Sequence, residues 1–243
     1  MEIGIQVSSL KPLLMDVQQV RAAFRRMADL GCRVVQLQWI HKNVPAEEIA
    51  AAMEENGITS VGVQDFYTLV REDLEYYVNL NEVTHGPWLC ISRIPEEYKS
   101  PEGLEHYRRE LLELMAYLKT RGQKLCFHPV SGDYQAVPGM DPVAWLMEHI
   151  PELELCLDLY HLNRCCGDMP GYIRRFAGRI CSVHFKDAVG DTLVPAGQGQ
   201  VNWNGVAEAC REAGVPYGFA EQEKWDRDPY ECLAEAMTWA AGQ

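Results

Sequence analysis

The chain has 243 residues, 35 acidic against 22 Lys and Arg, for a formal net charge of −13. So acidic a surface cannot readily neutralise a phosphate backbone, which excludes nucleic acid as an expected partner; the plain consequence of the charge is solubility. No stretch approaches the roughly 20 apolar residues of a membrane span, so no membrane partner is expected. The nine cysteines are odd in number and form no Cys-x-x-Cys pair. Several lie inside apolar runs, as small buried hydrophobes in a reducing compartment do. The opening MEIGIQVSSL carries neither the basic segment nor the apolar stretch of a secretory signal, and the expected location is cytoplasmic.

Along the chain two hydrophobic periods alternate. Ile3 to Val7 reads as a strand, followed by a helix with Val17, Val20, Phe24 and Met27 on one face, Asp16 as its cap and Gly31 as its stop. Val34 to Trp39 is the second strand; Pro45 opens a helix carrying Ile49 and Met53, and Gly57 closes it. Ser60 to Asp65 is the third, with a helix through Leu74 to about Leu80. Trp88 to Ser92 is the fourth, followed by the longest helix, Ser100 to Gly122, whose apolar face is Leu104, Tyr107, Leu111, Leu112, Met115 and Leu118. Lys124 to His128 is the fifth strand, and a helix runs from about Asp141 to His149. Leu153 to Asp158 is the sixth, with a helix from about Pro170 to Ala177. Ile180 to His184 is the seventh, followed by a polar loop over 188–200 and a helix from Asn202 to Ala213. Tyr217 to Glu221 is the eighth, and Asp228-Pro229 opens a last helix ending near Ala241. Strict strand–helix alternation argues for a parallel sheet covered by helices. Eight such units in a chain close to the usual ~250 residues argue for a single-domain (β/α)8 TIM barrel spanning 1–243. An open doubly wound sheet is the alternative, weakened because no glycine-rich phosphate loop follows the first strand.

In such a barrel the working face lies at the C-terminal ends of the strands. Read there in order, the residues are Gln6; Gln36 or Gln38 with Trp39; Gln64 with Asp65; Arg93; His128; Asp158 with His161; His184 with Lys186 and Asp187; and Glu221 with Glu223. Any one of these has an ordinary structural explanation as a cap or a hydrogen-bonded core residue. The convergence of Asp158, His184 and Glu221 from three successive strands points instead to a divalent metal, because carboxylate and imidazole suit Mn, Zn, Co, Mg or Fe. Such an ion stabilises the charge formed when a carboxylate removes a carbon-bound proton beside a carbonyl. Gln64, Arg93 and Trp39 are candidates to hold a polyhydroxylated substrate.

Several of these stretches resemble one family. Asp158-Leu-Tyr-His161 is similar to the Asp-x-x-His element of the xylose isomerase-like sugar isomerases and epimerases, and His184-Phe-Lys186-Asp187 to its His-x-Lys-Asp element. Glu221-Gln222-Glu223 followed by Asp228-Pro229 resembles its Glu-Gln-Asp closing element. Gly197-Gln198-Gly199 with Trp203 resembles its Gly-Glu-Gly loop. The resemblance implies metal ligation by Asp158, His184 and Glu221, with Glu221 doubling as an acid/base beside His161 and Lys186. Many members add a glutamate ligand from the fifth strand. Here Phe127-His128-Pro129-Val130-Ser131-Gly132-Asp133-Tyr134 stands in its place, so that His128 or Asp133 completes the set, or three ligands suffice. Asp133 and Gln198, where the family has Glu, are further substrate-binding candidates.

The expected activity is isomerisation or epimerisation of a sugar or cyclitol. The alternatives are a lyase or dehydratase, of the type that dehydrates a keto-cyclitol or cleaves a keto-glycoside, and a non-catalytic sugar-binding barrel. The abasic-site endonucleases share the architecture, but the acidic charge and only seven histidines argue against that activity. The expected partner is a small sugar or cyclitol, and the sequence leaves homo-oligomer formation open.

Overall fold

The strands in chain order are β1 (Glu2–Gln6), β2 (Val34–Leu37), β3 (Thr59–Phe66), β4 (Trp88–Ser92), β5 (Lys124–His128), β6 (Glu154–Asp158), β7 (Ile180–Phe185), β8 (Asp187–Val189), β9 (Thr192–Val194) and β10 (Tyr217–Ala220). In the computed structural model, which describes residues 1–243, all but β8 and β9 close into one parallel barrel. The barrel order is β1-β10-β7-β6-β5-β4-β3-β2. The helices are α1 (Val17–Asp29), α2 (Ala46–Glu55), α3 (Tyr67–Glu72), α4 (Leu74–Thr84), α5 (Pro101–Thr120), α6 (Pro142–His149), α7 (Leu159–Asn163), α8 (Met169–Arg175), α9 (Val206–Glu212) and α10 (Pro229–Ala241). They lie outside the barrel, and none is long and apolar enough to cross a membrane.

The caps named by the sequence form. Asp16 accepts from the Gln19 N–H and Ser100 from the Gly103 N–H, each satisfying an otherwise orphan amide of the first turn. Four details differ from the sequence reading. The segment after β3 is two helices, broken at Asp73, rather than one. The loop over 188–200 contains an antiparallel hairpin, β8 with β9. The five-residue α7 follows β6 at once; it is too short to reveal a helical period. Leu112 is exposed, on the outer side of the stripe that buries Leu104, Tyr107, Leu111 and Leu118.

Strand side chains alternate, so those facing the barrel interior stack in layers. Near the N-terminal mouth, Trp88 Nε1 donates to Glu154, which also pairs with Lys124. One step up, Cys90, Cys126, Cys156 and Cys181 form a buried cluster of free thiols. These side chains suit a cramped interior because they are small and only weakly polar. The next step places Gln6, Gln36, Gln64, Ser92, His128, Asp158 and His184 at the ends of β1 to β7, with Glu221 just past β10; all of them are buried. The apolar core lies between the barrel and the helices.

One side chain ties down the crossover after β7. Asp187 accepts from five N–H groups, those of Ala188, Gly197, Gly199, Val201 and the Trp203 indole. A methyl group on Gly199 would sit 2.1 Å from Asp187 Oδ1, which explains why that position is glycine. With the carboxylate removed, five donors lose their acceptor in a buried setting. Asp187→Ala should therefore lower the unfolding free energy by on the order of 3 kcal/mol, measured by urea denaturation, and Asp187→Asn by less.

Candidate metal centre

His128, Asp158, His184 and Glu221 project from β5, β6, β7 and the end of β10 to a common point. One ligand atom from each lies within 4.8 Å of all the others. All four residues are at most 4% exposed. Asp158 uses Oδ1 to accept from the His161 N–H, capping α7, while its buried Oδ2 has no hydrogen-bond donor. Glu221 Oε2 is 2.6 Å from His184 Nδ1, yet it too has no aligned donor. His128 Nε2 lies 3.2 Å from the same Nδ1. Two ring nitrogens and two orphaned carboxylate oxygens thus converge without bonding well to one another. A cation between them would satisfy all four, and a mixed N2O2 set suits a borderline divalent metal.

The flanking groups set the charges. Burial opposes the charge of His184, but the Cys156 sulfur 3.1 Å from Nε2 and the Glu221 carboxylate outweigh it and raise its affinity for a proton. Burial pushes His128 down to about 4, and neighbouring His184 adds to this, so His128 is neutral and free to ligate. Burial would raise Glu221, but Lys186 and His184 hold it well below the usual carboxylate range. Lys186 Nζ lies 2.7 Å from Glu223, 3.4 Å from Glu221 and 3.9 Å from Asp158. Burial disfavours its charge, yet Glu221, Asp158 and Glu223 keep it an ammonium. Burial, reinforced by Glu221, pushes Glu223 up to about 7. His161 sits at the edge with Nδ1 on the Ser131 hydroxyl at 2.9 Å and Nε2 3.7 Å from Asp158; burial lowers its affinity for a proton.

The remaining candidates divide. Gln64 faces the interior, 3.5 Å from Gln6 and 3.4 Å from Gln38. Trp39 and Arg93 follow β2 and β4 at the rim. Both have left-handed backbones, φ 58° and 66°, a strained conformation for such residues. Trp39 packs edge-on to Phe66 and donates to Asp65, and the Arg93 guanidinium lies over the Phe66 ring. A cavity of about 400 Å3 opens beside Trp39, lined in part by Gln38, Gln64 and Tyr77, and none of the four clustered residues reaches it. Two candidates are not brought to the centre. Asp133 accepts from the N–H groups of Ile94 and Val130, so both oxygens serve the loops after β4 and β5, and His128 is the fifth-strand group that joins the cluster. Gln198 is exposed and donates to Glu235 on α10, because its loop is wrapped around Asp187. The sequence reading did not single out Ser92, the last residue of β4, whose hydroxyl meets His128 Nδ1 at 3.1 Å, or Cys156, whose sulfur lies 3.1 Å from His184 Nε2; a serine closing a strand and a cysteine inside an apolar run carry no distinguishing signal.

The profile of the family described as xylose isomerase-like TIM barrel matches residues 14–241. The chain belongs to this family. No curated protein matches it in sequence. Among solved structures, a sugar phosphate isomerase/epimerase from Parabacteroides distasonis superposes with a TM-score of 0.79 at 16% identity, over 98% of this chain and 96% of that one. The probable 3-DHS dehydratase AsbF of Bacillus anthracis gives 0.77 at 12% identity, covering 99% of each chain. The 3-keto-D-glucoside 4-epimerase YcjR of E. coli gives 0.73 at 16% identity, covering 100% of each. At these identities the likeness is one of fold.

A proton on His184 Nδ1 competes with a metal for the same lone pair. Calorimetry at pH 7 in buffers of different ionisation enthalpy should register release of about one proton per Zn(II) bound. Affinity should fall as pH is lowered, since the protonated imidazole cannot ligate. Two imidazoles should also make Zn(II) and Co(II) bind at least about tenfold more tightly than Mg(II).

Proposed function

We propose that the protein is a divalent-metal-dependent isomerase or epimerase of a keto-sugar or cyclitol, moving a proton at a carbon beside a carbonyl. The observation that carries this reading is the pair of orphaned, buried carboxylate oxygens on Asp158 and Glu221 facing two imidazole nitrogens, with Lys186 and His161 alongside. The metal ligands would be His128, Asp158, His184 and Glu221. The bound ion, Mn, Zn, Co, Mg or Fe, would supply Lewis-acid stabilisation of negative charge developing on a substrate oxygen.

The chain's own groups would do the rest. Glu221, kept ionised by Lys186 and His184, is the proton acceptor. His161, whose neutral form burial favours, is a second proton carrier and comes from α7, which follows β6, rather than from the end of β10. The Lys186 ammonium stabilises negative charge and keeps three carboxylates in register. Gln6 Oε1 is buried without a donor, and a substrate hydroxyl is the natural group to fill that vacancy. Gln64, Trp39 and Arg93 would line the approach. Epimerases with folds of this type, among them one of 3-keto-D-glucoside and one of L-ribulose, support a carbonyl-bearing sugar as the substrate class.

A lyase or dehydratase is the second reading. It is favoured by His128, which stands where a second opposed carboxylate base would otherwise be, and by the fold's likeness to a probable dehydratase. Elimination needs one base and an acid for the leaving group, and Lys186 or Glu223 could supply the acid. Mass spectrometry of products formed from keto-sugars and inososes in D2O separates the two. Isomerisation or epimerisation should leave the carbon skeleton and composition intact with one solvent deuteron incorporated at carbon, whereas loss of water or of an aglycone would replace that reading with the lyase.

Glu221→Gln should reduce kcat by at least about 10²-fold in either case. Turnover near that of the wild type would remove Glu221 from the mechanism. His161→Asn, which keeps a hydrogen-bonding side chain of similar reach, should lower kcat by about 10²-fold while leaving bound metal unchanged.

A further inference from the structure

The imidazole of His184 meets the cluster through Nδ1, 2.6 Å from Glu221 Oε2 and 3.2 Å from His128 Nε2. The reason lies on the opposite side of the ring. Gln36 Oε1 is 2.6 Å from His184 Nε2, and both groups are buried. A carboxamide oxygen can only accept, so Nε2, which the Cys156 sulfur also meets at 3.1 Å, carries a proton directed at Gln36, the shorter contact. The identity of the amide atom is set in turn by Gln6, whose Nε2 donates to the same Oε1 at 2.9 Å. With Gln6 Nε2 also directed at Gln64 Oε1, 3.5 Å away, flipping the Gln36 amide would set its NH2 against the Gln6 NH2, an unfavourable contact in a dry interior. The ring is also held edge-on to Phe219.

We propose that Gln36, oriented by Gln6, is the positioning residue that fixes the His184 tautomer, so that Nδ1 and no other atom of the ring is offered to the metal. The proposal rests on the metal-dependent reading of the site. It assigns a function to the neutral half of the barrel: β1 and β2 contribute no ligand, yet together they decide which ligand atom β7 presents. Coordinating histidines commonly hold their second ring nitrogen on a carboxylate or a backbone carbonyl, and loss of such a partner weakens metal binding by about 10–100-fold. Here a side-chain amide fills that place, and it adds no charge to a barrel interior that already buries Asp158 and Glu221.

The test uses Zn(II), chelator competition and 15N-histidine NMR on the full chain. In the Zn-loaded wild type, His184 should show a metal-bound Nδ1 and a slowly exchanging, downfield Nε2–H proton. Gln36→Leu should lose that protected proton and bind Zn(II) about 10–100-fold more weakly, while Gln36→Glu, which still accepts from both donors, should retain the proton and bind at least as tightly as the wild type. A general packing defect would not be rescued by glutamate, which buries a charge in the same space. Gln6→Leu should give a smaller loss of the same kind. If Gln36→Leu binds Zn(II) as the wild type does, or if the spectrum shows His184 bound through Nε2, the positioning role is wrong while the metal site stands. If the wild type itself binds no Zn(II), the functional reading falls and the positioning role falls with it.

Discussion

The costliest feature of this molecule is the burial of charge at the centre of its barrel. Asp158 and Glu221 are removed from water, and an ion so placed is penalised by several kcal/mol unless opposite charge and hydrogen bonds compensate. Lys186 and His184 provide part of that compensation. They leave one oxygen of each acid without a donor, pointed at the same space. Much of the surrounding structure makes sense as the means of holding that arrangement. The thiol layer closes the barrel from below, Phe219 blocks the side, and α7 is capped by the same Asp158 whose other oxygen stays free. Excluding water also strengthens every remaining electrostatic interaction, which is what a site that must stabilise a transient negative charge requires.

The interior is electrically lopsided. From β5 round to β10 it carries imidazoles, carboxylates and an ammonium; from β1 to β3 the side chains that meet one another at the same level are the glutamines Gln6, Gln36 and Gln64. A carboxamide offers donors and acceptors without charge, so this side can bind hydroxyl groups in many orientations while the other side carries the ionic chemistry. The rim over the neutral side is where the backbone is strained. Trp39 and Arg93 hold left-handed conformations, and both rest on Phe66. Such strain persists only where neighbours over-determine it, and it is commonly concentrated at ligand-contacting positions.

Much of this was legible in the sequence because one rule links pattern to place: in a parallel barrel, the polar residue ending an apolar run faces the mouth. Asp158, His184 and Glu221 could be named from that rule alone, and the structure gathers them. The rule could not separate His128 from Asp133, because both lie near the end of one strand; only the backbone amides of Ile94 and Val130, which claim Asp133, distinguish them. Nor could it reveal Asp187 as the anchor of the 197–203 loop. Its partners are mostly main-chain N–H groups, which leave no mark in the sequence beyond the glycines that let the backbone come close. Gln198 was misplaced for the same reason: the loop turns inward through its backbone, so its side chain points out to α10. Gln36 was visible as a polar strand end, but its partner is a ring nitrogen 148 positions away in the chain, and no local pattern encodes that.

His128 decides more than a ligand count. With a carboxylate at the end of β5, the centre would hold three anionic ligands and stay negative around a divalent ion. With a neutral imidazole there, two carboxylates balance such an ion, and the nearby Lys186 ammonium then leaves the local field positive except for Glu223. That sign favours a substrate on which an oxygen becomes negative. The same residue also shifts the bonding preference towards metals that accept nitrogen readily. On the function proposed above, it would also remove an acid/base from one face of the site, leaving Glu221 at the end of β10 and His161 on α7 to handle protons. On that function, charge balance, metal preference and the direction of proton movement would all follow from one side chain. Its neutrality is enforced by the very burial that makes the neighbouring carboxylates so expensive to keep.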